Sequence, residues 1–216
     1  MEWASWRVMY LQIMDDLGFD TLADVASAER LSSLVGKGRV PNYDAIANIL
    51  GRDVIIAGPA AGLEKDLESL LGSEILISAG SATGRLMGLG IIPDVLVTDL
   101  DGDVGLEIEA IERGSLAFVH AHGDNRARIE EVVPRLSKPF VPTVQCKPFG
   151  NVYNFGGFTD GDRAVLTALH FGAERIRTIG WDLDDPFPKE GCDPDLKRRK
   201  LSWAKKVLRP YLGGSQ

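Results

Sequence analysis

The chain has 216 residues, of which 44% are apolar and 25% charged. This balance is typical of a soluble globular protein with one sizeable core. Its formal net charge of −7 argues against general nucleic-acid binding, which normally needs a basic face. No apolar run is long enough to span a bilayer, and charges interrupt the N-terminus where a signal peptide would be apolar. We therefore expect a cytoplasmic protein whose two cysteines stay reduced.

The first fifty residues predict helices, because Trp3, Trp6, Tyr10 and Ile13 recur at helical spacing and further helical patterns follow. From Asp53 onwards, short apolar runs alternate with helical stretches. The apolar runs are 54–57, 75–78, 95–98, 116–119, 140–144 and 176–179, and the helical stretches are 61–71, 82–89, 106–113, 125–136 and 160–171. This alternation predicts an α/β fold, Rossmann-like, in which helices cover both faces of a mostly parallel sheet.

Three segments follow from this pattern: an N-terminal helical segment (1–50), an α/β nucleotide-binding catalytic domain (51–185) and a C-terminal helical tail (186–216). In the tail, the run Lys197-Arg198-Arg199-Lys200 predicts a solvated face of a helix that ends near Pro210. In the α/β domain, ligands are expected at the carboxyl ends of the strands.

The strongest chemical signal lies between Pro93 and Asp103, where the apolar run 95–98 leads into three carboxylates. Asp99 and Asp101 alternate with Asp103 along the chain, and alternate side chains of an extended segment point to the same side. A divalent cation would then offset their repulsion, and oxygen ligands suit Mg²⁺, which typically bridges carboxylates and substrate phosphates. We predict a Mg²⁺ site formed by all three; a loop of solvated aspartates is the simpler alternative.

A second cluster, Gly156–Arg163, directly precedes a predicted helix. Thr159 or Asp160 can cap that helix, and the free backbone N–H groups of a helix N-terminus form an anion site. We predict that Asp160 and Asp162 bind metal or nucleotide hydroxyls and that Arg163 contacts phosphate. Ordinary helix capping explains the same Thr-Asp pair without a ligand.

A third cluster, His120-Ala121-His122-Gly123-Asp124-Asn125, follows the run 116–119. Its two histidines and aspartate raise the question of zinc, but no thiolate or further histidine lies nearby in the sequence, so a zinc site is not favoured. A role in positioning phosphate or substrate, or as a third carboxylate near the metal, fits better. Two Gly-rich turns, at Gly58 and at Ser81, also follow strands and suit phosphate or ribose, although neither is a full dinucleotide-binding fingerprint.

Taken together, these motifs resemble the archaeal 6-hydroxymethyl-7,8-dihydropterin pyrophosphokinases, a family related in fold to thiamine pyrophosphokinase. The resemblance covers residues 50–185 in order. The segments that carry it are PDVLVTDLDGD at 93–103, HAHGDN at 120–125, NFGGFTDGDRA at 154–164 and GWD at 180–182.

The resemblance implies that ATP and a hydroxymethyl pterin give AMP and the pterin diphosphate, with Mg²⁺ required, in the biosynthesis of a folate or tetrahydromethanopterin cofactor. Its partners would be these small molecules, without nucleic acid or membrane, and a homo-oligomer is left open. The resemblance also implies the residue roles. Asp99 and Asp101 would be the catalytic metal pair with Asp103 beside them, Asp124 would assist, and the nucleotide and phosphate side would hold His122, Asp124, Asn125, Thr159, Asp160 and Asp162.

Other readings stay open at this point. Asp99-Leu100-Asp101-Gly102 also resembles the DxDG motif of haloacid-dehalogenase-like phosphohydrolases, although that motif usually lies near the chain start. A metal-dependent glycosyltransferase would use DxD to hold a nucleotide diphosphate, and a non-catalytic nucleotide sensor would need the same pocket. Thiamine pyrophosphokinase is disfavoured because the short tail after Asp182 lacks the alternating strand pattern of that family's second, β-rich domain.

Overall fold

The computed structural model describes residues 2–36, 40–68, 72–184 and 193–212. The strands in these ranges are β1 Asp53–Ala57, β2 Ile75–Ala79, β3 Val95–Thr98, β4 Leu116–Ala121, β5 Phe140–Val144 and β6 Arg175–Ile179. The helices are α1 Trp3–Leu17, α2 Thr21–Leu34, α3 Tyr43–Leu50, α4 Leu63–Leu67, α5 Ala82–Gly88, α6 Val104–Glu112, α7 Arg126–Val132, α8 Asp160–His170 and α9 Pro194–Leu212. A 3₁₀ turn, Val133–Arg135, continues α7.

All six strands pair in parallel, in the spatial order β5-β4-β3-β2-β1-β6. From β1 to β5 each new strand is added on the same side, and β6 then returns to the other side of β1. Parallel crossovers are right-handed, so the helices that precede β2 to β5 belong on one face and α8, which precedes β6, belongs on the opposite face. The carboxyl ends of all six strands meet at one edge of the sheet.

The packing of alternate strand residues agrees with this topology. On β1, Val54 and Ile56 pack in a cluster with residues of α3 and α8, whereas Ile55 and Ala57 pack with Leu63 of α4 and with α5. On β4, Phe118 joins the first face, and its neighbours along the strand face α6 and α7. Strands covered on both faces are continuously apolar, and the predicted α/β fold with helices on both faces is confirmed.

Helices α1 and α2 cover the β4–β5 end of the sheet. The indole Nε1 of buried Trp6 donates to the backbone carbonyl of Gln145 (2.9 Å), and the buried Tyr10 hydroxyl donates to Asp24 (2.7 Å). These aromatic residues are therefore packing residues of the core. The segment boundaries at 50 and 185 stay predictions.

The tail helix α9 is longer than expected, because it continues through Pro210 to Leu212. It packs against α1 and α8 and buries Ala204 and Val207. In its basic run Arg198 and Arg199 are exposed, whereas Lys197 and Lys200 are half-buried and line a cavity described below. Within the described ranges, no helix combines the length and apolar character that crossing a membrane requires. Cys192 lies outside the described residues.

Candidate active site

A cavity of about 650 Å³ lies at the carboxyl edge of the sheet. The first turn of α8, the corner between α1 and α2, and the inner face of α9 form its walls. Every strand contributes a lining residue at or just beyond its end, in strand order Gly58, Gly80, Asp99, His122, Gln145 and Gly180. This is the position at which open parallel sheets bind ligands.

Three carboxylates meet on the floor of this cavity. Asp99 and Asp101 follow β3, and Asp160 is the first residue of α8; one oxygen from each lies within 4.8 Å of the others. Burial and the neighbouring charge of Asp99 raise the pKa of Asp160 well above its ordinary value. A set of crowded, partly buried oxygen donors is one that a hard divalent cation stabilises, and it fits Mg²⁺.

The third carboxylate of the predicted set, Asp103, lies elsewhere. The chain does not stay extended after β3, because Leu100 adopts a left-handed conformation (φ +64°) and its N–H is bonded to the Thr98 hydroxyl (2.8 Å). Asp103 instead caps α6 by accepting from the Leu106 N–H (3.1 Å). The extended conformation assumed from the alternating aspartates is therefore wrong, and Asp160 stands beside the pair in place of Asp103.

Asp99 is held by its neighbours. Its Oδ2 lies 3.3 Å from His122 Nε2, its Oδ1 accepts from the Asp101 N–H (3.3 Å), and its carbonyl accepts from the Asn125 amide (2.8 Å). Burial by itself would raise the pKa of Asp99, but the hydrogen bond and charge of His122, with Asp101 and Arg163, hold it below its ordinary value. Asp99 is therefore a carboxylate in the ionised form that a metal requires.

The cluster after β4 divides into lining and supporting residues. His122 and Asp124 line the cavity. Asn125 is buried, and it bridges the Asp99 carbonyl and the His120 carbonyl (2.7 Å) while accepting from the His122 N–H (3.0 Å). The Nδ1 atom of His120 lies 3.0 Å from the Thr143 hydroxyl. Asn125 therefore fixes the loop that carries His122.

The first turn of α8 also divides in this way. Thr159 and Asp160 line the cavity, whereas Asp162 is fully buried and accepts from the backbone N–H groups of Phe158 (2.8 Å) and Thr159 (2.6 Å). Asp162 thus caps the helix. Arg163 lines the cavity, but its guanidinium already donates to Asp160 (3.0 Å), to the Gln145 side chain (3.2 Å) and to the Phe158 carbonyl (2.6 Å).

On the β1–β6 side the cavity wall is glycine backbone and one indole. The Trp181 ring lies so close to Gly58 that a Cβ there would be 2.4 Å from its Cδ1, and a Cβ at Gly161 would be 3.0 Å from the ring. Glycine at both positions allows this close approach. Trp181 Nε1 is buried and finds no hydrogen-bond partner among the described residues, so this wall holds an unused donor.

On the β4–β5 side the corner between α1 and α2 forms the wall, with Gly18, Phe19, Asp20 and Ala23. The buried carboxylate of Asp24 fixes this corner. It accepts from the Gly123 N–H (2.7 Å) and from the Gln145 amide (2.8 Å). The aromatic rings of Phe19 and Phe158 stack at 6.2 Å. Phe158 belongs to the predicted cluster Gly156–Arg163, whereas no motif in the sequence indicated Phe19, Asp24 or Gln145, although Gln145 directly follows a predicted strand.

The structure thus brings nine of the predicted site residues to one cavity and leaves three outside its lining. Those at the cavity are Gly58, Ser81, Asp99, Asp101, His122, Asp124, Thr159, Asp160 and Arg163. Those outside are Asp103, Asn125 and Asp162, whose contacts support α6, the loop after β4 and α8. Their predicted roles with metal and nucleotide stay predictions.

Comparison with known proteins identifies the family of the chain. The family model described as "6-hydroxymethylpterin diphosphokinase MptE-like" matches residues 30–186. Three curated archaeal relatives carry the name 6-hydroxymethyl-7,8-dihydropterin pyrophosphokinase. The protein of Methanocaldococcus jannaschii is 34% identical over 96% of this chain and 95% of its own; that of Methanothermobacter thermautotrophicus is 36% identical over 96% and 94%; and that of Pyrococcus furiosus is 35% identical over 96% and 89%. The chain therefore belongs to the MptE-like 6-hydroxymethylpterin diphosphokinase family.

Proposed function

We propose that this protein transfers a diphosphate group from ATP to 6-hydroxymethyl-7,8-dihydropterin and releases AMP and the pterin diphosphate. The observation that carries the proposal is the group of three carboxylates in a cavity at the strand ends, in a chain of the MptE-like family. The oxygen of the pterin hydroxymethyl group attacks the β-phosphorus, the bond from that phosphorus to the oxygen bridging the α-phosphate breaks, and the hydroxyl proton is released.

Asp99, Asp101 and Asp160 would hold Mg²⁺, because their oxygens lie close together and because burial beside the charge of Asp99 leaves Asp160 in need of a cation. When bound, Mg²⁺ would neutralise charge on the phosphates, which is the main requirement of phosphoryl chemistry. His122 and Asn125 would keep Asp99 in place through its carboxylate and its carbonyl. The family's phosphate chemistry then needs positioning more than an activated nucleophile.

We assign the β1–β6 side of the cavity to ATP. The backbone of Gly58, Gly80 and Gly180 lines the cavity on this side, and the Trp181 ring closes its wall against Gly58. The N-terminus of α8, which begins beside the carboxylates, favours an anion because its N–H groups and dipole point towards it. Ser81 would contact the same nucleotide.

We assign the β4–β5 side to the pterin. Phe19 and Phe158 present apolar rings there, which suit a flat heterocycle, and the three carboxylates lie between this side and the glycine side. The two substrates would therefore meet over Asp99 and Asp160, where the diphosphate would pass from ATP to the pterin. Relatives named for the pterin reaction favour this acceptor over thiamine.

The nucleotide product tests the reaction class. The purified protein is incubated with ATP, Mg²⁺ and 6-hydroxymethyl-7,8-dihydropterin, and the spent nucleotide is separated by chromatography. We expect AMP and pterin diphosphate in equal amounts. ADP as the main product would refute diphosphate transfer and return a simple kinase or phosphohydrolase to consideration.

The choice of acceptor and the metal are tested in the same assay. We expect little product when thiamine replaces the pterin, and loss of turnover with a chelator that added Mg²⁺ restores. Faster turnover of thiamine would overturn the pterin assignment and leave the AMP result intact. Full activity in the chelator would remove the metal from the proposal.

A further inference from the structure

We propose that Lys197 and Lys200, on the inner face of α9, bind the diphosphate during its transfer. This inference rests on the proposed function, which supplies the anion, and it adds two residues that the sequence assigned only to a solvated helix face. Both lysines line the cavity at the carboxyl edge of the sheet, together with Leu196 and Leu201.

The helical period separates these lysines from the arginines between them. Residues three apart share a helix face, and Lys197 and Lys200 are half-buried on the face that borders the cavity. Arg198 and Arg199 are exposed and lie outside the lining. Arg198 pairs with Asp195 on its own helix, and Arg199 pairs with Asp16 of α1. The basic run therefore has an inner pair and an outer pair.

The position of α9 is fixed by packing rather than by its charges. Ala204, Val207 and Leu208 are buried, and the Trp203 indole Nε1 donates to the Asp16 carboxylate (2.8 Å). One to two turns earlier on the same helix, Lys197 and Lys200 extend from this anchored section. Both residues therefore line the cavity from a helix that is anchored by its own packing.

The charges around the cavity make these lysines necessary for a polyphosphate. The described lining holds many carboxylates, and its permanent cations are Arg163, Lys197 and Lys200. The Arg163 guanidinium already donates hydrogen bonds to Asp160, to Gln145 and to the Phe158 carbonyl. One divalent ion would neutralise only part of a triphosphate, and lysine is a common phosphate ligand that acts as a mobile point charge.

The location of Lys200 indicates which phosphates it contacts. Its Nζ lies over the Phe19 ring, 5.3 Å from the centroid, and therefore on the β4–β5 side that we assign to the acceptor. The α-phosphate stays with AMP, whereas the β- and γ-phosphates move towards the acceptor. A cation on that side would follow the transferred group, so the lysines should affect ATP binding and leave AMP binding unchanged.

The test compares Lys197→Met and Lys200→Met with Arg198→Met. Methionine keeps much of the side-chain length and removes the charge, and Arg198 is a matched basic residue on the outer face of the same helix. Calorimetry measures the affinity of each protein for α,β-methylene-ATP with Mg²⁺, an analogue whose α–β bridge does not break in this reaction, and for AMP. Thermal melting checks the fold.

We expect each lysine variant to bind the analogue about tenfold more weakly, the size of one lost charge-assisted contact, and to bind AMP as the wild type does. Arg198→Met should bind both normally. Unchanged analogue affinity in both lysine variants, or an equal loss for AMP and the analogue, would overturn the inference, as would a wild type that does not bind the analogue. If the lysine effect is present but the wild type does not turn over the pterin, the proposed reaction fails and the lysine contact stands.

Discussion

The contact between Gly80 and Asp160 gives a direct test of the carboxylate group. Gly80 has φ +54°, and a Cβ built on it would lie 2.6 Å from Asp160 Oδ2. The Asp160 carboxylate is only 15% exposed and is bonded to Arg163, so it has little room to move away. In the Gly80→Ala variant the methyl group should displace Asp160 from Asp99 and Asp101.

Gly90→Ala is the matched control, because Gly90 also has a positive φ (+77°) but has no atom within 4 Å of the added Cβ. The left-handed conformation should cost each variant ~1–2 kcal/mol of unfolding free energy, which corresponds to a melting temperature lower by about 2–4 °C per kcal/mol. Only Gly80→Ala should also lose Mg²⁺-dependent turnover, by roughly 100-fold if Asp160 leaves the metal site. Thermal melting and steady-state kinetics measure the two effects separately. Equal activity in both variants would refute the role of Asp160.

Three further variants or groups test the rest of the site. Asp99→Asn should fold normally and lose at least ~100-fold in turnover. Asp103→Ala should lose ~1 kcal/mol of unfolding free energy, because its helix cap is removed, and should keep its activity. An equal loss of activity in both variants would show that Asp103 belongs to the metal site. Asp24→Asn should lower the free energy of unfolding, measured in urea, by roughly 1–3 kcal/mol, since a buried donor would lose its acceptor. Tyr10→Phe should lower it less. If Asp24→Asn is as stable as the wild type, the α1–α2 corner does not depend on this carboxylate. Burial, reinforced by the charge of Asp24, raises the pKa of the Cys146 thiol to about 11, so at pH 8 about one thiol in a thousand is ionised. Peptide mapping should find that Cys146 is alkylated at least ~100-fold more slowly than free cysteine, and labelling at the free rate would contradict its burial.

Local patterns were enough to predict the fold. The apolar runs 95–98 and 140–144 coincide with β3 and β5, because a strand buried on both faces is apolar throughout and needs no information from distant residues. The rule that ligands bind at the carboxyl ends then indicated His122 and Gly58 correctly as cavity residues. Gln145 was available to the same rule, since it directly follows β5.

Contacts between distant segments were not predictable in this way. The motif before α8 predicts Asp160 as a ligand of metal or nucleotide, but no spacing in the sequence shows that it lies beside Asp99. The alternation at Asp101 and Asp103 assumed an extended chain, which the backbone of Leu100 does not adopt. The sequence could have placed Lys200 on the buried face of α9, because the apolar positions of that helix recur at helical spacing and mark this face.

The indole of Trp181 lies against two glycines from different parts of the fold, Gly58 in the turn after β1 and Gly161 in the first turn of α8. As a result, these three positions can change only as a set. A methyl group at position 58 or 161 would need a smaller side chain at position 181. A smaller side chain at 181 alone would leave a void, which larger residues at 58 and 161 would fill. Among descendants of this sequence, substitutions at 58, 161 and 181 should therefore be accepted together and rejected singly. The shape of this cavity wall would thus be inherited as one unit, although positions 58 and 161 lie more than a hundred residues apart in the chain.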